Sequence, residues 1–137
     1  LMTLWGYKPS LEKMKQILQI MAWDQSIATD ELAELRYRAT LRPGAQALFE
    51  RVFPPPYQRW ADALVIDDAD LAALEHQTLL IHGRDDAVVP VHVSEDLSRK
   101  IKQAQLHIFG CCGHWTQIEQ ATRFNRLVID FLQESNA

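Results

Sequence analysis

Residues 82–90 read HGRDDAVVP, two adjacent aspartates standing just past an apolar run and just before a proline. The run that leads into them, TLLIH (78–82), and a second run, AQLHIF (104–109), are short and nearly continuously apolar, the pattern of strands buried on both faces. Between the two, Val93, Leu97 and Ile101 recur four residues apart and predict one helical stripe over 91–101. After the second run, Phe124, Leu127, Val128, Phe131 and Leu132 mark an amphipathic final helix. Strand, crossover helix, strand and helix in that order imply a right-handed parallel unit, so residues 67–137 read as a C-terminal βαβα portion of an α/β fold.

In a parallel unit the loops leaving the two strands emerge on one edge of the sheet, and neighbouring strands lie only about 4.8 Å apart. Here those loops are GRDDAVVP and GCCGHW, so topology alone brings an aspartate towards His114. Asp86 is the better candidate, being three residues past Gly83 and able to turn back over the strand end, whereas Asp85 suits a turn cap. An aspartate that accepts the Nδ1 hydrogen of a histidine fixes its tautomer and leaves Nε2 as a general base. The same residues also fit a plain structural role, with Asp86 capping a turn and His114 bonded locally.

The first half reads differently. Leu11, Met14, Ile17, Leu18 and Met21 share a helical face that starts after Pro9, with Ser10 as N-cap and Glu12 near the positive end of the dipole. A second helix is expected from about Thr29 to Thr40, broken by RPGAQ (42–46). Ala45–Arg51, Trp60–Leu64 and Asp68–Leu74 predict further short helices, and the three prolines of FPPPYQRW (53–60) predict an extended, polyproline-like bend. Residues 1–66 thus form a helical region ahead of the strands.

Composition narrows the function. The chain has 137 residues, 47% of them hydrophobic and 23% charged, with a net charge of −4, which suits a folded domain and offers no basic stripe for nucleic acid. No stretch has the roughly 18 apolar residues of a membrane helix, and no signal-peptide pattern opens the chain, so a cytoplasmic protein is expected. Cys111 and Cys112 are adjacent, which suits neither a disulfide framework nor Cys-x-x-Cys zinc spacing; reduced thiols are expected. His114 beside them does not complete a metal site, because sequence neighbours rarely point at one centre, and Asp67, Asp68 and Asp70 suit a helix start. No metal is expected. A chain opening Leu1-Met2 reads either as a piece of something longer or as one carrying an extra residue left ahead of its methionine by cloning.

HGRDDAVVP followed by FGCCGHWTQIEQATRFNRLVIDFL (109–132) resembles the C-terminal end of an α/β-hydrolase. LWGYKPSLEKM (4–14), ELAELRYRAT (31–40), RPGAQ and FPPPYQRWADAL (53–64) resemble the lid of the meta-cleavage product hydrolases, which include the 2-hydroxymuconic semialdehyde hydrolases. The resemblance implies a partial α/β-hydrolase fold, with Asp86 and His114 as triad acid and base. It also implies a nucleophilic serine on a G-x-S-x-G elbow, and this sequence has none: Ser10, Ser26, Ser94, Ser98 and Ser135 all lack glycines at the required offsets.

Arg36 stands out without any family knowledge, because it shares a helical face with Leu32, Leu35 and Ala39, which are expected to face the core. A charge there needs an anion, an internal partner or a path back to water. The resemblance gives this arginine the carboxylate of a dienoate substrate, which suits a guanidinium fork. Trp5 and Trp115 are candidates to wall a pocket for a flat conjugated ligand, while Trp23 and Trp60 are read as packing.

Two functions follow as expectations. In the first, the chain is the lid and C-terminal part of a hydrolase of carbon–carbon bonds. The complete enzyme tautomerises a 2-hydroxy-6-oxo-dienoate and cleaves it hydrolytically at the ketone, without metal or organic cofactor. In the second, the chain is a stand-alone remnant that binds small apolar acids without chemistry. There the open edge of TLLIH and the uncovered lid helices favour a homodimer, in place of association with a missing N-terminal part.

Overall fold

Thr78–Gly83 (β1) and Ala104–Phe109 (β2) pair in parallel, with Ile81 opposite His107, His82 opposite Ile108 and Gly83 opposite Phe109. This two-stranded sheet anchors a computed structural model whose described residues are 8–134. Those residues divide into two compact units, one comprising residues 8–20 and 25–66, the other Met21–Asp24 and residues 67–134.

The first unit is helical. Leu11–Met21 (α1) starts where Ser10 accepts a hydrogen bond from the Lys13 amide at 3.3 Å, and it buries Met14 and Leu18. Asp30–Thr40 (α2) is capped by Thr29, whose hydroxyl accepts from the Leu32 amide at 3.1 Å, and Asp30 pairs with Lys15. Ala45–Val52 (α3) and Gln58–Asp62 (α4) follow. Phe49, Phe53 and Trp60 form an aromatic ladder with centroids 5.4 and 5.8 Å apart, and the Trp60 indole donates to the Pro54 carbonyl at 3.0 Å. Within the proline run the Pro55–Pro56 peptide is cis.

The core expected on α2 is corrected. Its buried residue is Ala33, while Leu35 is 67% exposed and Arg36 and Ala39 are exposed as well. Each residue turns a helix by about 100°, so seating Ala33 inward carries Leu35 some 200° round to the opposite side.

In the second unit Asp68–Ala72 (α5) precedes β1, His92–Lys100 (α6) crosses from β1 to β2, and Thr116–Glu119 (α7) and Ala121–Glu134 (α8) follow β2. Leu71, Ile101, Phe109, Cys112 and Trp115 form its core. Lys100 pairs with Asp68 at 2.6 Å and ties α6 to α5. The strands are mostly half-buried instead of buried on both faces, because the sheet has two strands among the described residues and Gln105 and Ile108 on β2 remain exposed. The stripe expected on α6 holds at Ile101, which is buried, and at half-buried Leu97, but not at Val93, which is 38% exposed while neighbouring Ser94 is buried. The reason is polar, as Ser94 meets the buried side chain of His82. Among the described residues no helix is long and apolar enough to cross a membrane.

Candidate active site

Two loops at the C-terminal edge of the sheet carry the site. Gly83 ends β1 so close to the second loop that an added Cβ would lie 2.0 Å from the Gly113 carbonyl oxygen and 2.5 Å from that of Cys112. Only a residue without a side chain permits this approach. Reciprocal bonds then hold the loops together: the Asp85 amide donates to the Cys112 carbonyl at 3.0 Å, and the Cys112 amide donates to the Asp85 carboxylate at 3.4 Å. Asp85 also pairs with Arg84 at 3.2 Å, and this guanidinium holds its carboxyl below the usual range. Asp85 therefore fastens one loop to the other, beyond the turn cap expected of it.

Asp86 uses its two oxygens for two tasks. Oδ1 accepts from the Val88 and Val89 amides at 2.7 and 3.0 Å, an Asx-type turn that fixes the carboxylate plane. Oδ2 is 2.8 Å from His114 Nδ1. The turn cap and the contact with His114 are both present, on different atoms. The Asp86 side chain is only 4% exposed; burial pushes its carboxyl up, but the bonds from Val89, His114 and Val88 outweigh that and leave it below its ordinary value. A carboxylate only accepts, so His114 carries its hydrogen on Nδ1, and Nε2 lies at the far edge of a ring that is a third exposed.

Glu119, which the sequence reading passed over, holds the histidine loop. One carboxylate oxygen accepts from the Gly113 amide at 2.7 Å; the other accepts from the Trp23 and Asp24 amides at 2.8 and 2.9 Å. The His114 amide donates to the Met21 carbonyl at 2.8 Å, so Gly113, through Glu119, and His114, directly, are both tied to the Met21–Asp24 segment. Of the three amides that Glu119 serves, those of Trp23 and Asp24 belong to exposed residues and turn to water if it is removed, whereas buried Gly113 has no such alternative. Glu119→Ala is therefore expected to cost about 2 kcal/mol, with Glu119→Gln recovering part of it, in urea unfolding of the 137-residue chain.

The remaining candidates fall elsewhere. Arg36 lies on the exposed face of α2, where it lines an open cavity of about 370 Å³ with Leu32, Leu35, Arg38, Ala39 and Arg42. Trp115 is 7% exposed and belongs to the core of the second unit, and it lines none of the cavities described among these residues. Trp5 lies outside the described residues. Cys112 is buried and its thiol is pushed up to about 11 by burial and by the carboxylates of Glu119, Asp85 and Asp86, which disfavours the thiolate a nucleophile needs. Among the described residues no group of three or more His, Cys, Asp or Glu could hold a metal ion.

The profile of the alpha/beta hydrolase fold family matches residues 2–121. The chain is 52% identical over 134 residues to the 2-hydroxymuconate semialdehyde hydrolase of Pseudomonas sp. (strain CF600), covering 98% of this chain and 47% of that protein. It is also 52% identical, over 129 residues, to the 2-hydroxy-6-oxo-2,4-heptadienoate hydrolase of Pseudomonas putida F1, covering 94% of this chain and 47% of that one. Among solved structures it superposes on the acetate-complexed meta-cleavage product hydrolase of Pseudomonas fluorescens IP01 with a TM-score of 0.93 and 55% identity, over 96% of this chain and 48% of that chain. The chain spans about half the length of the curated relatives it matches.

Proposed function

Since the chain belongs to the alpha/beta hydrolase fold family, we propose that Asp86 and His114 are the acid and base of a serine-type hydrolytic centre, in a protein that cleaves carbon–carbon bonds of 2-hydroxy-6-oxo-dienoates. The observation that carries this reading is the 2.8 Å bond from His114 Nδ1 to Asp86, which leaves Nε2 as the working nitrogen. His114 Nε2 takes a proton from the nucleophile or from the substrate enol and returns it to the carbon that leaves. Asp86, ionised below its ordinary range, stabilises the imidazolium that forms between these steps. The 52% identity to hydrolases named for 2-hydroxymuconate semialdehyde and 2-hydroxy-6-oxo-2,4-heptadienoate supports the substrate class.

The serine comes from outside these 137 residues, because no G-x-S-x-G occurs in them. The helical first unit serves as the lid portion, with Arg36 as the residue that holds a substrate carboxylate; it lines an open cavity together with Leu32, Leu35, Ala39 and two further arginines, Arg38 and Arg42, a setting suited to an acid with an apolar body. The free thiols Cys111 and Cys112 fit a cytoplasmic setting.

Reconstitution tests the reading. The chain is co-produced with a polypeptide bearing the G-x-S-x-G segment of a meta-cleavage product hydrolase, and loss of the dienoate's visible absorbance is followed. Turnover is expected only when both parts are present, and His114→Ala is expected to lower it by about 10³-fold or more. Undiminished turnover by the His114 variant would remove His114 from the mechanism.

A further inference from the structure

Beneath Asp86 lies a second histidine that the mechanism above does not use. His82, on β1 and 8% exposed, places Nε2 2.9 Å from the Val89 carbonyl oxygen and 3.4 Å from Asp86 Oδ2, and Nδ1 2.6 Å from the Ser94 hydroxyl. We propose that His82, with its tautomer set by the Val89 carbonyl and the Asp86 carboxylate and its ring held by Ser94, is a positioning residue that acts through Asp86 to keep His114 in its Nδ1–H form. The inference rests on the reading of Asp86 and His114 as acid and base.

The tautomer follows from what each neighbour can do. The Val89 carbonyl and the Asp86 carboxylate only accept, so His82 Nε2 carries a hydrogen. In the neutral ring Nδ1 is then an acceptor, and the Ser94 hydroxyl is the donor it meets. The opposite tautomer would set a lone pair against the Val89 oxygen at 2.9 Å and the Asp86 oxygen at 3.4 Å, in an interior where such contacts are weakly screened.

The consequence reaches Asp86 from two sides. Val89 gives its amide to Asp86 Oδ1 and its carbonyl to His82, so the turn that fixes the carboxylate plane is clamped at both ends of one residue. The His82 Nε2–H also lies near Oδ2, the oxygen that His114 uses, and opposes rotation of the carboxylate away from it. Three side chains almost wholly out of water, His82 and Ser94 at 9% or less and Asp86 at 4%, are thereby spent on orienting one oxygen.

Nitrogen and proton NMR of the histidine rings in the full 137-residue chain reads this out directly. The unsubstituted chain is expected to show a downfield, slowly exchanging Nδ1–H of His114, and Asp86→Asn is expected to abolish it. His82→Phe keeps a flat ring but no donor, and loss of the His114 Nδ1–H signal is expected. His82→Gln, whose amide nitrogen reaches the position of Nε2, is expected to restore it, and Ser94→Ala to speed its exchange with water. An unchanged His114 signal in a folded His82→Phe chain overturns the proposal. If that variant does not fold, an unchanged exchange rate in Ser94→Ala overturns it equally. A signal that survives Asp86→Asn, or is missing from the unsubstituted chain, would overturn the Asp86–His114 pair itself and the role of His82 with it.

Discussion

Gly83→Ala is expected to destabilise the second unit by on the order of 3 kcal/mol or more, the upper end of what overpacking costs. The added methyl would sit 2.0 Å from the Gly113 oxygen and within 2.8 Å of the Cys112 carbonyl group, all of it backbone that has no rotamer to change. Relief requires the two loops to part, and parting them breaks the reciprocal Asp85–Cys112 bonds and the 2.8 Å bond from the Arg84 amide to the Phe109 carbonyl. The same displacement pulls His114 from Asp86. Gly110→Ala is the control one step away on the same edge: its nearest neighbour is the end of the Arg84 side chain at 3.2 Å, which can swing into solvent, so a cost below about 1 kcal/mol is expected. Urea midpoints of the two variants, measured side by side, check the contrast. Equal midpoints would mean that the loops do not depend on their close approach.

That dependence shows what a sequence can and cannot disclose. The strands, the crossover helix and the final helix were legible because apolar run length and periodicity report the type of element directly. The approach of Asp86 to His114 followed from parallel topology, since both loops leave the same edge, and the place of Asp86 three residues past Gly83 singled out which of two aspartates would turn inward.

What stayed hidden were the polar residues that hold the pair in place. Ser94 scores as a surface residue, so the stripe on α6 was drawn through Val93; its burial makes sense only once His82 is known to need a donor. Glu119 bonds to amides 95 and 96 residues earlier in the chain, and no local pattern signals a partner at that distance. On α2 the misreading had another cause. Leu32, Leu35 and Ala39 form a regular apolar face, but small Ala33 is the residue that packs, and hydrophobicity patterns give little weight to an alanine.

Asp86→Asn should remove most of the proposed chemistry while leaving the fold recognisable. The asparagine keeps an oxygen for the Val88 and Val89 amides, so the turn survives; its amide nitrogen then faces His114 Nδ1, where an acceptor stood before. A donor opposite Nδ1 drives the histidine hydrogen to Nε2, the nitrogen that accepts a proton in the proposed mechanism. In reconstituted enzyme the expected loss in kcat is roughly 10⁴-fold, the scale seen when a triad acid is replaced by its amide. Stability should respond with a definite sign. The folded carboxyl of Asp86 lies below its ordinary value, so its ionisation contributes stability that is fully present above the unfolded value of about 3.9 and is lost as pH falls through the lower folded value. Replacing it by a group that does not titrate should therefore flatten the acid limb of the stability curve below about pH 4 while lowering the plateau at neutral pH. Unfolding free energies measured across that range, alongside kcat, separate the two roles: an unchanged acid limb would mean the carboxylate is not ionised against His114 and the two amides in the folded chain. A kcat that falls only severalfold would mean that His114 keeps its working tautomer without Asp86.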